Sequence, residues 1–280
     1  MEKYEKDKVS ICIPLYNGSR FIKETLESVL DQDYPQMEII INDDCSSDNS
    51  LEIVKCFNDS RIKVYANEKK YGLVGNWNKT VSYASGEFVK LMCQDDLLCA
   101  GAVSNQVKLL KKYPSASLSV GNSLVIDSGG NVVKNRKRFR KNRIVHGEKY
   151  AKMSLKGRNI YAEPPNILCR TKDFYKIGKY DTGLFYTPDW DFGIRLSYLG
   201  DVACSKVYIM KFRLSDISET HRLYAKTFYS SIKDSDRMIE KHQKLGRIKI
   251  NRWDVFLFKI VVRVMAMARL LFLKKYNRGN

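Results

Sequence analysis

Apolar residues along this chain fall into two alternating kinds of segment. Short, nearly continuous runs at Val9–Leu15, Met37–Ile41, Ile62–Tyr65 and Phe88–Cys93 have strand length and too little polarity for a water-facing surface. Between them, Phe21, Ile22, Leu26, Val29 and Leu30 recur at helical spacing behind Ser19 as a cap, and Leu51–Phe57 and Trp77–Ser85 read as further helices. Strands alternating with helices predict right-handed βαβ units and a largely parallel, Rossmann-like α/β sheet flanked by helices. Further on, Ala102–Tyr113 predicts a helix with a basic last turn stopped by Pro114. Leu118–Ile126 and Asn131–Val133 flank Asp127-Ser128-Gly129-Gly130 as a hairpin, and Ile194, Leu196 and Leu199 predict a helix whose start carries Asp189 and Asp191.

The ends of these strands hold the chemistry. The first runs into Tyr16-Asn17-Gly18, the second into Asn42-Asp43-Asp44-Cys45-Ser46-Ser47-Asp48-Asn49, and the fourth into Gln94-Asp95-Asp96. Parallel strands share one carboxyl edge, so Tyr16, Asp44 and the Asp95–Asp96 pair converge on one crevice. Two adjacent carboxylates suit a hard divalent ion carrying phosphates. They equally suit a helix cap ahead of Leu97, and both readings stand on this stretch alone. No glycine-rich dinucleotide fingerprint and no P-loop occurs, so neither of those phosphate-binding devices is supported. Asn76-Trp77-Asn78, read as preceding a helix, offers an amide to a nucleoside or a cap; Arg213 offers a phosphate contact or an ion pair, and Asp181 belongs to a turn.

Composition widens the picture before narrowing it. At 280 residues and 44% hydrophobic, the chain can bury the core of one large or two small domains. A net charge of +18 and a pI near 9.5 call for polyanions: nucleic acid, anionic lipid or phosphorylated substrates. The densest basic run, 134–143, reads as a solvated loop before it reads as a phosphate or acceptor contact, and it lacks the interleaved aromatics of a nucleic-acid surface. Seven cysteines without a Cys-x-x-Cys pair imply reduced, mostly buried thiols of a cytosolic protein rather than zinc ligands or disulfides. The first residues lack an apolar core, so no signal peptide is expected. Trp253–Leu273 is apolar and about long enough to span a bilayer, but Lys259, Arg263 and Arg269 interrupt it. Arg252, Lys259 and Arg263 fall close to one line of the helix, with Arg269 about a quarter turn away, which predicts an amphipathic helix lying in a membrane interface. The competing reading packs that helix on the body of the protein or on a second subunit, as in a homo-oligomer.

Four landmarks occur together and in order: Val9-Ser-Ile-Cys-Ile-Pro-Leu-Tyr-Asn17, Glu38-Ile-Ile-Ile-Asn-Asp-Asp-Cys-Ser-Ser-Asp-Asn-Ser50, Gly86-Glu-Phe-Val with Gln94-Asp95-Asp96, and Pro188-Asp189-Trp190-Asp191. Over roughly residues 8–215 the chain resembles the inverting family 2 glycosyltransferases, of the bacterial surface-polysaccharide type, with the GT-A fold. The resemblance implies a nucleotide-sugar donor, UDP-linked by preference, with Mn²⁺ or Mg²⁺ on its pyrophosphate. Together with the excess positive charge and the amphipathic C-terminal helix, it predicts a peripheral cytoplasmic enzyme on the inner face of the cell membrane, acting on a saccharide acceptor that is lipid-linked. Pro14 and Tyr16 would line the base pocket, Asp44 would bond the base, with Asn78 near the nucleoside. Asp95 would meet the ribose or the metal and Asp96 would ligate the metal directly, with His221 a further metal candidate. Asp189 matches the catalytic base. In these terms residues 1–8 form a tail, 9–100 the donor half, 101–215 the acceptor half of the same domain, and 216–280 a helical region carrying the amphipathic helix 253–273.

Two departures from the family pattern matter. Cys93 stands where a first metal-site Asp is usual, which moves metal binding onto Asp95 and Asp96. Pro188 replaces the Glu before the base, which makes Asp191 a runner-up. The rival readings are a nucleotidyltransferase of similar fold, a basic nucleic-acid-binding protein, and a scaffold of this family that lacks turnover.

Overall fold

The computed structural model describes residues 4–214 and 219–276, without the side chains of 219–228 and 269–276. In chain order the elements are β1 (Glu5–Leu15), α1 (Ile22–Leu30), β2 (Met37–Asp43), α2 (Ser50–Lys55), β3 (Ile62–Ala66), α3 (Leu73–Val81), β4 (Gly86–Leu91) and β5 (Leu97–Leu98). There follow α4 (Ala102–Lys112), β6 (Ala116–Ile126), β7 (Val132–Arg136), β8 (Arg143–Val145), α5 (Gly147–Ser154), β9 (Leu168–Arg170), α6 (Thr171–Lys176), α7 (Pro188–Ser197), β10 (Asp201–Arg213), α8 (Glu219–Leu245) and α9 (Arg252–Tyr276). The strands join one sheet in the order β3-β2-β1-β4-β9-β6-β10-β5, with β7 paired to β6 and β8 to β10. The β3-β2-β1-β4 block is parallel, as the alternating pattern predicts. β6 and β10 are parallel to each other, and the short β9 runs antiparallel between β4 and β6.

Side-chain alternation in β1 divides the core. Ile11, Ile13 and Leu15 face one side with Ile39 and Ile41 of β2, where Ile22, Leu26 and Val29 of α1 and Val103, Val107 and Leu110 of α4 cover them. Cys12, Ile40, Val89 and Leu91 face the other side, under Trp77 and Val81 of α3, Phe174 of α6, and Phe192 and Ile194 of α7. Both faces of β2, β4 and the second half of β1 are therefore dry, which is why those strands read as continuous apolar runs, whereas the edge strand β3 is largely exposed despite its apolar run. Pro14 sits within β1 at no cost to pairing, because the ladder to β4 ends at Cys12–Leu91.

Several expectations change. Strand β1 begins at Glu5, so residues 5–8 are part of the sheet rather than a tail. Helix α3 starts at Leu73, which puts Asn76 and Asn78 inside the helix and not ahead of it. The segment after Asp96 is the strand β5, paired to β10, so the pair does not cap a helix. Of the seven free cysteines only Cys12, Cys169 and Cys204 are buried, while Cys45 and Cys56 are exposed.

The basic run is only partly a solvated loop. Lys134–Arg136 pairs with β6, Phe139 is buried, and Asn122 Oδ1 accepts from the backbone N–H groups of Arg138 (2.7 Å) and Phe139 (2.8 Å). Helix α9 also differs from expectation. It packs Phe258, Val262 and Ala266 on the body, and its charged line turns toward α8, with Lys259 on Glu240 at 2.7 Å and Arg263 on Asp236 at 2.8 Å. What faces outward is apolar: Trp253, Phe256, Leu257, Ile260, Val264 and Met267 are exposed and fall within about 100° of the helix circumference.

Gly147, at the start of α5, shows how closely the second half is packed. A Cβ there would lie 2.0 Å from the Gly200 carbonyl oxygen and 2.2 Å from that of Ser197, both main-chain atoms with no room to yield. Gly147→Ala is expected to cost about 1–3 kcal/mol, seen as a melting point lower by about 2–4 °C per kcal/mol in a thermal denaturation scan.

Candidate active site

The carboxyl edge of the parallel block is stitched together by polar side chains. Gln94 grips the main chain of Tyr16 from both ends, Oε1 accepting its N–H and Nε2 donating to its carbonyl, each at 2.8 Å. Asn17 and Ser19 are tied to the loop after β2, where Ser47 N–H donates to Asn17 Oδ1 (2.8 Å) and Ser19 N–H donates to Asp48 Oδ2 (3.0 Å). Asn76, buried in α3, joins the same edge: its Oδ1 accepts from Asn42 Nδ2 at 2.6 Å and its Nδ2 donates to the Leu15 carbonyl at 3.3 Å. These bonds hold Tyr16 half-exposed at the rim, with the Lys70 ammonium 3.9 Å above its ring and bonded to its hydroxyl. Pro14 lies buried one turn of the strand below.

Asp44 is buried and accepts from Asn67 Nδ2, Tyr71 N–H and Gly72 N–H, each at 2.8 Å. It thereby fixes the 67–72 loop against the crevice and keeps one of its roughly four acceptor positions for a ligand. Asn78 does something other than meet a nucleoside. Its Nδ2 donates to the Tyr180 carbonyl (2.9 Å) and its Oδ1 accepts the Tyr180 N–H (3.0 Å), so the whole amide is used as a brace between α3 and the loop before α7.

Asp96 is buried, with Oδ1 accepting the Arg213 N–H at 2.9 Å, while Asp95 beside it is partly exposed. Burial, and then the Asp95 charge, push the Asp96 carboxyl well above its usual range. Arg213 is fully buried and acts as the bracket of this loop: Nε donates to the Asp95 carbonyl (2.9 Å), Nη1 to the Ser128 carbonyl (3.1 Å), and Nη2 reaches Glu24 at 2.7 Å. It faces no open phosphate site. Among the described residues no group of three or more His, Cys, Asp or Glu gathers to hold a metal. A carboxylate pair of this kind fits Mg²⁺ or Mn²⁺ only when phosphate oxygens and water complete the shell. His221, the further metal candidate, lies outside the residues whose side chains are described.

Asp189 and Asp191 occupy the first turn of α7 and part company there. Asp189 is half-buried, with Oδ2 accepting from Asn159 Nδ2 at 2.9 Å; its surroundings, and then the Glu163 carboxylate, raise its carboxyl to about 7. Asp191 is fully buried and forms an ionic hub, with Arg195 at 2.6 Å, Lys241 at 2.9 Å and His242 at 3.1 Å. Burial opposes its charge, but His242, Arg195 and Lys241 hold the carboxyl well below the ordinary range. A carboxylate so committed cannot collect a proton from a substrate, so the reading of Asp191 as a runner-up base is withdrawn. Asp181 shares this network through Lys241 at 2.6 Å and also accepts the Gly183 N–H of its turn.

The remaining member of the site is Cys93. Burial, and then Asp96, Asp95, Asp189 and Glu163 in that order, raise its thiol well above the usual range. Glu163 and Asn159 carry no sequence signal of their own: the first precedes two prolines and the second sits in a turn.

The chain has clear relatives. Residues 10–178 match the profile of the family described as Glycosyl transferase family 2. It is 37% identical over 126 residues to "UDP-Glc:alpha-D-GlcNAc-diphosphoundecaprenol beta-1,3-glucosyltransferase WfgD" of Escherichia coli, covering 45% of this chain and 49% of that protein. It is 35% identical over 130 residues to a "GalNAc(5)-diNAcBac-PP-undecaprenol beta-1,3-glucosyltransferase" of Campylobacter jejuni, covering 45% and 41% respectively. The chain spans about half the length of the curated relatives it matches. Among solved structures it resembles S. aureus TarS 1-349 in complex with UDP-GlcNAc, with a TM-score of 0.65, 15% identity, and coverage of 93% of this chain and 92% of that one. It likewise resembles the mannosyltransferase PcManGT from Pyrobaculum calidifontis in complex with GDP-Man and Mn2+, with a TM-score of 0.62, 16% identity, and coverage of 94% and 70%. The fold is thus the GT-A arrangement that the sequence resemblance implied.

Since Asp191 is the hub of a buried ionic cluster, Asp191→Asn is expected to cost about 3–5 kcal/mol by leaving its cations unbalanced. Urea unfolding should show a much larger loss for this substitution than for Asp189→Asn at the neighbouring acid.

Proposed function

The chain belongs to the family 2 glycosyltransferases, and from that premise we propose that it moves a sugar, with inversion, from a UDP-sugar to a hydroxyl of a lipid-linked saccharide in surface-polysaccharide synthesis. The observation that supports this reading is the presence of two unlike carboxylate sites, the Asp95–Asp96 turn after β4 and, in the first turn of α7, Asp189 with one oxygen held by Asn159. Relatives whose names specify UDP-Glc and diphosphoundecaprenol acceptors support the donor and acceptor classes.

Tyr16, Asp44 and Pro14 would receive the nucleoside at the stitched edge of the sheet. Asp95 and Asp96 would hold a divalent ion together with the donor's diphosphate, and such an ion would supply Lewis-acid stabilisation of the leaving group there. Asp189 then does the protein's own part of the chemistry. With Asn159 holding its Oδ2, Asp189 would accept the proton of the acceptor hydroxyl as the hydroxyl oxygen attacks the anomeric carbon. The new carbon–oxygen bond forms as the bond to the nucleoside diphosphate breaks, and a single displacement inverts the centre. A carboxyl titrating at about 7 is well matched to a proton transfer near neutrality.

The membrane face follows from α9. No described helix is long and apolar enough to cross a bilayer, but the exposed stripe from Trp253 to Met267 on a chain of +18 suits an anionic surface. In this reading the protein sits peripherally on the inner leaflet, where the lipid-linked acceptor is anchored.

Asp189→Asn is expected to lower the transfer rate by about 10²–10⁴-fold while UDP-sugar affinity, measured by calorimetry, is retained. In the same assay the wild-type rate should climb with pH and level off above about 7, because the base works only when deprotonated; a pH-independent rate across pH 5–8 would rule Asp189 out. Replacing Trp253, Phe256 and Leu257 together with Gln should weaken sedimentation with phosphatidylglycerol vesicles about tenfold or more, with the melting point unchanged.

A further inference from the structure

Glu163 is placed with more care than a loop residue requires. It opens the tight turn Pro164–Asn166, and that turn is fixed from several directions. Lys90, fully buried on β4, donates to the carbonyls of Pro165 (2.6 Å) and Ile167 (3.3 Å). Asn166 accepts the Gly121 N–H through Oδ1 at 3.1 Å and donates through Nδ2 to the Tyr161 carbonyl at 2.8 Å, while Gln106 Nε2 donates to the Asn166 carbonyl at 2.9 Å. The Glu163 side chain is then aimed by Arg136 of β7, whose Nη1 donates to Oε1 at 2.6 Å and whose guanidinium lies over the Phe212 ring.

The second carboxylate oxygen is the unusual one. Oε2 is buried and makes no hydrogen bond. Leaving a charged acceptor buried without a donor costs more than the roughly 1–3 kcal/mol of a neutral group, so a ligand O–H or N–H there repays a standing penalty. The field of Glu163 reaches Cys93, Asp96 and Asp189 alike. Asn159 Nδ2, which holds Asp189 Oδ2 at 2.9 Å, also donates at 3.1 Å to the carbonyl of Ala162, the residue before Glu163, so the segment that carries Glu163 is tied to the acid that would act as base. In an in-line displacement the transferred sugar ring lies between that base and the leaving diphosphate. A carboxylate only accepts, so its complement is a ring hydroxyl and not an acetamido carbonyl or a phosphate.

We propose that Glu163, held by Arg136 and by the Lys90-anchored turn, accepts a hydrogen bond from a ring hydroxyl of the donor's sugar and so selects which sugar is transferred. The proposal rests on the nucleotide-sugar reading above. Glu163 is a binding residue in this scheme and takes no proton.

The test is calorimetric binding of UDP and of UDP-glucose to the full chain with Mn²⁺, for the wild type, Glu163→Gln and Glu163→Ala. Glu163→Gln keeps the shape and an acceptor for Arg136, so it guards against a variant that simply misfolds. The expected result is a loss of at least tenfold in UDP-glucose affinity for Glu163→Ala, a smaller loss for Glu163→Gln, and less than a twofold change for UDP with either. Equal losses for UDP and UDP-glucose, or no loss for either, would overturn the assignment while leaving the donor reading in place. A wild-type protein that binds neither UDP nor UDP-glucose, and none of GDP-mannose, GDP, UDP-galactose or UDP-N-acetylglucosamine, would overturn the donor reading and this assignment with it.

Discussion

The buried carboxylate of Asp191, with Arg195, Lys241 and His242 around it, joins what would otherwise be separate parts of the molecule. Arg195 lies on the same helix, α7, whereas Lys241 and His242 belong to α8. His242 is further bonded through Nδ1 to the Tyr198 hydroxyl at 2.7 Å, so its ring is oriented from both sides. Taking one partner of such a cluster away leaves charge in a dry place, which makes the cluster an all-or-none connection. Its neighbours in sequence extend the connection: Trp190 packs its ring on Phe258 of α9 at 5.4 Å, and Asp189 takes a hydrogen bond from Asn159. Three consecutive residues thus fix the acid against both C-terminal helices, and the helical extension is a support of the site rather than an appendage.

A different economy governs the donor side. There the groups that would touch ligand sit on loops, and amides and hydroxyls that touch no ligand make those loops rigid. Gln94 holds Tyr16, Asn76 ties the ends of β1 and β2, and Arg213 brackets the Asp95–Asp96 turn from the far strand β10. Pre-organisation of this kind means that binding spends little on ordering the protein. At Cys93 a neutral thiol adds no further negative charge beside Asp95 and Asp96.

The long parallel strands and the amphipathic helices were legible because burial on one face or two imposes a period on at least five or six residues. β5, β8 and β9 were not, since two or three residues carry no period and their pairing is settled by distant strands. Asp44, Asp95, Asp96 and Asp189 stood out as acids at element ends. Their partners Asn159, Glu163 and Arg213 come from remote parts of the chain and meet only through the fold. One signal was available and overlooked: residues two apart on a helix point about 200° away from each other. If Asp189 faces a ligand, Asp191 must face the core, and the Arg195 one turn later is its natural partner.

The sheet order also fixes a sequence of events as the chain folds. The β3-β2-β1-β4 block uses only neighbouring segments, so its pairings close short loops at modest entropic cost. Beyond β4 only the β6–β7 hairpin is local: β9 must reach Phe88 from Arg170, and β5 must wait for Met210 and Lys211 of β10 before either of its residues has a partner. The faces of the first block are themselves covered by α4, α6 and α7, so its core is closed only when the later segments arrive. Because Arg213 is among the last sheet residues to arrive, the Asp95–Asp96 turn acquires its bracket only when the sheet is complete. The turn that carries these two acids is consequently fixed only by a complete sheet.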